Sequence, residues 1–142
     1  MKVENWELKF ENLLNLKNTR ALGRHILLEL HDCPKDLLKH PADSEQILLR
    51  AAEAMKATVV CSQFHAFSPY GVSGVVIIQE SHLTIHTWPE HAYAAVDIFT
   101  CGDIDLDSGV TLLKTLFQAK HTAVKQINRG VGLLNEKLKT KN

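Results

Sequence analysis

Between residues 71 and 90 the chain carries two short apolar runs, Val75 to Ile78 and Leu83 to Thr87, parted by the polar Glu80-Ser81-His82. Short runs rich in β-branched residues between turn formers read as strands, so the segment predicts a hairpin with Ser81 at or near its bend. Residues 25 to 31 alternate, Ile26, Leu28 and Leu30 facing one way and Glu29 and His31 the other, which predicts a half-buried strand. Thr58 to Phe64, Tyr93 to Thr100 and Thr122 to Ile127 read as further strands. Helical spacing places Ile47, Leu48, Ala51 and Met55 on one face of a helix that runs to about Ala57, with Asp43 and Gln46 resembling a capping box. After the polar loop at Gly102-Asp103, Val110, Leu113 and Phe117 stripe a second helix, capped by Asp107 or Ser108 and running to about Ala119.

Two prolines, in Cys33-Pro34 and His40-Pro41, mark a loop after the first strand, and Ser68-Pro69-Tyr70-Gly71 is turn chemistry leading into the hairpin. Ahead of all this, Trp6, Phe10, Leu13 and Leu14 fall on one face of an amphipathic helix over residues 5 to 18, with Asn5 as a cap, expected to pack on the domain or on a partner. The lysine-rich end after Gly132 reads as a frayed tail. Strands in antiparallel order with a few helices segregated to one face make an α+β fold, a two-layer α/β sandwich. The divisions expected are an N-terminal helical extension over 1–22, a domain over 23–130 and a tail over 131–142.

Composition narrows the function classes more than the fold. With 142 residues the chain is one domain able to bury a core, and 16 basic residues balance 16 acidic ones. That balance makes no electrostatic case for nucleic acid or for an acidic membrane surface, and it does little to oppose self-association. Three cysteines without Cys-x-x-Cys spacing argue against a disulfide framework and for a reducing, cytoplasmic compartment. No apolar run approaches membrane-spanning length. His65, His82, His86 and His91 lie close in sequence, and His82 and His86 would share a strand face, but no carboxylate or cysteine pattern completes a familiar ligand set, so no metal is expected. Cys33 and Cys61 read as structural residues, and His25 and His31 as polar-face or satisfied strand residues.

A serine at a strand bend among Ser73, His82 and His86 has the surroundings of a nucleophile. The run Glu80-Ser81-His82-Leu83-Thr84-Ile85-His86-Thr87-Trp88-Pro89-Glu90, followed by Phe99-Thr100-Cys101-Gly102, resembles the processing site of the prokaryotic S-adenosylmethionine decarboxylases, small pyruvoyl enzymes of polyamine synthesis. The similarity extends from Gly23-Arg24-His25 to Arg129-Gly130.

That resemblance implies the same two-layer sandwich, with a mostly antiparallel sheet, usually paired into a dimer. It also implies chemistry that no ordinary side chain performs. Decarboxylation needs an electron sink, which a carbonyl forming a Schiff base with the substrate amine supplies. In the resembling family Ser81 attacks the Glu80 carbonyl, and cleavage between Glu80 and Ser81 leaves a pyruvoyl group at the head of residues 81–142. Ser73 matches a processing helper and His86 the proton acceptor in processing, while Cys101 matches the proton donor in decarboxylation. Phe67, Trp88 and Glu90 match substrate-binding positions: an aromatic stacked on adenine, a neighbour in the same segment, and a carboxylate for the nucleoside. The expected product is decarboxylated S-adenosylmethionine, the aminopropyl donor for spermidine. Two other readings stay open at this stage: a pyruvoyl-dependent arginine or ornithine decarboxylase of the same build, and a non-catalytic regulatory homologue that remains uncleaved.

Overall fold

The structure is a computed structural model and describes Glu11 and residues 21–133. The helix expected over residues 5–18, apart from Glu11, and the tail beyond residue 133 lie outside the described residues. Six strands form one sheet: β1 (Ala21–His31), β2 (Val59–Ala66), β3 (Val72–Ile78), β4 (Ser81–Trp88), β5 (Tyr93–Thr100) and β6 (His121–Val131). They lie in the order β2-β3-β4-β5-β1-β6, and every neighbouring pair is antiparallel. Two helices, α1 (Pro41–Ala54) and α2 (Leu106–Leu116), cover one face, giving the expected α+β sandwich.

Period-two alternation decides which side chains meet the helices. Ile26, Leu28 and Leu30 of β1, Leu83 and Ile85 of β4, and Ala94, Val96 and Ile98 of β5 are buried beneath them. From the helix layer come Ile47, Leu48, Ala51 and Met55, together with Leu113 and Phe117. Buried Thr87 fastens three segments, its Oγ1 accepting from the Val72 N–H at 2.9 Å and donating to the Leu38 carbonyl at 2.7 Å. The other face of the sheet carries no layer of described residues and displays His25, His82, Thr84, His86 and Asp97 in successive strands.

Helix ends depart from the sequence reading. α1 begins at Pro41 rather than at an Asp43 cap, because proline with its fixed φ suits the first turn, and the His40 N-cap makes no side-chain bond. It stops at Ala54, short of Ala57, where Lys56 turns left-handed at φ +60°. The cap of α2 is Asp105, not Asp107 or Ser108: its carboxylate accepts from the Ser108 N–H at 3.1 Å and from the Ser108 hydroxyl, which lowers the Asp105 pKa. β1 and β6 start earlier or end later than the apolar pattern implied, since backbone pairing continues from Ala21↔Val131 through His31↔His121 past the apolar residues.

Candidate active site

Ser81 opens β4 directly after the two-residue turn Gln79-Glu80, and its register with Ile78 closes the hairpin. Its φ of +140° lies where an L-residue with a side chain is strained. On its other side Ser81 pairs with Thr100, which sets Cys101 beside the turn. The Cys101 N–H donates to the Glu80 carbonyl oxygen at 2.7 Å, and the Cys101 thiol is exposed. The Glu80 carboxylate accepts from the Thr58 N–H at 3.2 and 3.3 Å. The Gly102 carbonyl accepts from Arg24 Nη2 at 3.4 Å, and the Gly102 N–H donates to Thr100 Oγ1 at 3.1 Å. The bond between Glu80 and Ser81 thus has a hydrogen-bonded carbonyl on one side and a strained serine on the other. A backbone donor already aimed at that oxygen would stabilise the negative charge that addition to the carbonyl creates.

Ser73 and His86 face each other across β3 and β4, with Ser73 Oγ 2.7 Å from His86 Nδ1. Trp88 lies 6.4 Å from the His86 ring and stacks on Tyr93 at 5.4 Å. Phe67, 51% exposed, meets His65 edge-on at 4.7 Å just past the end of β2. Glu90 is exposed in the 3-10 turn Pro89–His91 that follows β4. These residues gather at the end of the sheet opposite Glu80, Ser81 and Cys101. Ser81 and His86 are five positions apart on one strand, about 16 Å at the rise of an extended chain. One chain therefore assembles two half-sets and does not bring Ser73 or His86 to Ser81.

Between the half-sets runs a polar relay that residue spacing did not reveal. Arg129 Nη1 donates to His25 Nδ1 at 3.3 Å, His25 Nε2 donates to Asp97 at 3.3 Å, and the other Asp97 oxygen accepts from Thr84 at 3.2 Å. These partners come from β6, β1, β5 and β4, so only the strand order makes them neighbours. The alternation placed His25 on the polar face, where the structure has it, but held no sign of Asp97 or Arg129 as its partners. Next to Ser81 in sequence, His82 meets Phe99 edge-on at 5.8 Å. Burial, then the neighbouring His25, hold its imidazole below the ordinary histidine value, with Asp97 pulling the other way. Tyr93 donates to Glu29, and burial followed by that carboxylate raises its phenol to about 12. Cys33, expected as a structural residue, is buried, and burial followed by Asp32 pushes its thiol up to about 11. Cys61, expected as a structural residue, is instead exposed on β2, which among the described residues has a strand neighbour on one side only.

Known proteins are similar to this chain in sequence and in fold. The family model described as S-adenosylmethionine decarboxylase matches residues 24–130. An S-adenosylmethionine decarboxylase proenzyme of Thermosipho africanus is 52% identical over 112 residues, covering 78% of this chain and 86% of that one. One from Fervidobacterium nodosum is 51% identical, covering 78% and 82%. The crystal structure of the adenosylmethionine decarboxylase from Aquifex aeolicus superposes with a TM-score of 0.72 at 33% identity, covering 78% of this chain and 92% of that one.

Proposed function

The chain belongs to the S-adenosylmethionine decarboxylase family, and we propose that it is a proenzyme that cleaves itself between Glu80 and Ser81 and then decarboxylates S-adenosylmethionine. The observation that carries this reading is the Glu80 carbonyl, held at 2.7 Å by the Cys101 N–H immediately before a serine at φ +140°. Ser81 Oγ adds to the Glu80 carbonyl carbon, the peptide C–N bond breaks, and the hydroxyl proton passes to the freed Ser81 amine, leaving an ester. The Cys101 N–H stabilises the oxyanion between the two states. Removal of the Ser81 α-hydrogen then expels Glu80 as a carboxylate, and hydrolysis with loss of ammonia converts residue 81 to a pyruvoyl group. Ser81 fits that origin, since it heads a strand beside a backbone donor and an exposed thiol. When present, such a group supplies a carbonyl that accepts the electron pair left by departing carbon dioxide.

The proton acceptor for the α-hydrogen is His86, and Ser73 supports the addition step, but both lie at the far end of their own sheet. A second copy placed face to face across the side of the sheet that carries no layer of described residues supplies them. Two-fold symmetry then builds the same composite site twice, Ser81 and Cys101 from one protomer meeting Ser73 and His86 from its partner. Cys101 donates a proton to the substrate's α-carbon in place of the departed carbon dioxide, its exposed thiol suiting that task. Exposed Phe67 offers a stacking face for adenine and exposed Glu90 a carboxylate for ribose hydroxyls, with Trp88 beside His86 as an aromatic wall for the sulfonium. The product is the aminopropyl donor for spermidine. Work in the cytoplasm belongs to the same reading, because all three cysteines are free thiols.

Intact mass under denaturing conditions tests the proposal. Wild type should give two chains divided before residue 81, the second lighter than its unmodified sequence by the serine-to-pyruvoyl change, and Ser81→Ala should stay whole. A single uncleaved wild-type chain would sink it.

A further inference from the structure

The side chain of Glu80 has no part in the chemistry just described, yet it is held from two sides of the turn. Its carboxylate takes the Thr58 N–H between its two oxygens, at 3.2 and 3.3 Å. Its methylenes run across Gly102, where an added Cβ would stand 2.6 Å from Glu80 Cγ and 3.0 Å from Glu80 Cβ. The same two neighbourhoods hold the main chain, since Gln79 N–H donates to the Thr58 carbonyl at 2.8 Å and Cys101 N–H donates to the Glu80 carbonyl at 2.7 Å. Thr58 precedes β2, and Gly102 follows β5. Glu80 therefore spans from one segment to the other, with the bond to Ser81 between its anchors.

We infer that the Glu80 side chain is a positioning residue for self-cleavage: Thr58 and Gly102 hold it so that the Glu80 carbonyl stays aligned with the Cys101 N–H and open to Ser81 Oγ. The inference rests on the self-cleavage reading above and adds to it a requirement for the residue on the acyl side of the bond. Its physical basis is that addition to a carbonyl depends steeply on the direction of approach. A two-residue turn with a strained second strand has other backbone arrangements available, and a free Glu80 would let the carbonyl rotate off its donor. One N–H needs one acceptor, so a neutral amide oxygen can replace the carboxylate, whereas a methyl cannot. Gly102 acts in the same device by leaving room for the Glu80 methylenes.

The test follows newly synthesised full-length chain by intact mass over time, for wild type, Glu80→Ala, Glu80→Gln and Gly102→Ala, with and without neutral hydroxylamine. Thermal unfolding of each variant is recorded alongside. Hydroxylamine splits an ester between residues 80 and 81 but leaves the amide untouched. Glu80→Ala and Gly102→Ala should cleave roughly 10-fold or more slowly than wild type, with no hydroxylamine-sensitive ester, because the step before the ester is the one impaired. Glu80→Gln should recover to within about 3-fold of wild type, since the hydrogen bond is restored. The inference is overturned by Glu80→Ala cleaving at the wild-type rate. It is equally overturned by accumulation of ester in that variant, which would place the defect in elimination, or by Glu80→Gln being as slow as Glu80→Ala at equal thermal stability. A wild-type chain that never cleaves would overturn the self-cleavage reading itself, and this inference with it.

Discussion

Ser73 Oγ lies 2.7 Å from His86 Nδ1, yet the pair stands at the opposite end of β4 from Ser81, the residue that both are expected to serve. Antiparallel register causes this. Ser73 must pair with His86 if Ile78 is to pair with Ser81, because the two strands run away from a two-residue turn. The first prediction follows. Ser81→Ala and His86→Ala should each remain uncleaved when made alone. Made together, with the two chains distinguishable by mass, the His86→Ala chain should be cleaved in about half of its copies, the share paired at random with a chain that retains His86. A His86→Ala chain that stays whole in the mixture would place the proton acceptor within one protomer.

Cys101 contributes two groups at different stages. Its backbone N–H contacts the Glu80 carbonyl and its thiol is exposed. Cys101→Ala keeps the first and loses the second. Cleavage should therefore proceed within about 3-fold of wild type, while release of carbon dioxide from carboxyl-labelled S-adenosylmethionine drops by roughly 100-fold or more, the usual scale for loss of a positioned acid. Equal losses in both assays would show that the thiol also serves cleavage.

The depressed His82 pKa has a consequence for stability in acid. A histidine harder to protonate folded than unfolded leaves the unfolded chain holding more protons below the ordinary value of about 6.5. This contribution is fully present above that value and is lost as pH falls towards the folded pKa. Urea midpoints should thus decline between about pH 7.5 and 5.5, and His82→Gln should make that decline shallower. An identical slope in the variant would remove His82 as its source.

Gly109 lets the two helices approach. An added Cβ there would lie 2.3 Å from Met55 Cγ and 2.4 Å from its sulfur, and Met55 is wholly buried. Gly109→Ala gains about 1 kcal/mol of helix propensity but overpacks the contact at a cost of about 1–3 kcal/mol. A fall of a few degrees in Tm is expected, read by calorimetry on the full chain. A rise in Tm would mean that Met55 swings aside without cost.

What could be read without coordinates was what neighbouring residues decide among themselves. Alternation through Ile26, Leu28 and Leu30 needs only the two-residue period of a strand, and the helix stripe through Ile47, Leu48, Ala51 and Met55 needs only the helical period. The residues of the cleavage segment were legible because they are contiguous. Helix ends were less so: Asp105, Asp107 and Ser108 can all serve as caps, and the choice depends on backbone angles at Asp105. Tertiary structure alone decided the rest. The relay from Arg129 through His25 to Asp97 draws on strands far apart in the chain, and the Thr58 N–H reaches Glu80 only because β2 lies beside β3. Local preferences act over a turn or two of chain, whereas strand order comes from burying the apolar faces of β1, β3, β4 and β5 under two helices at once.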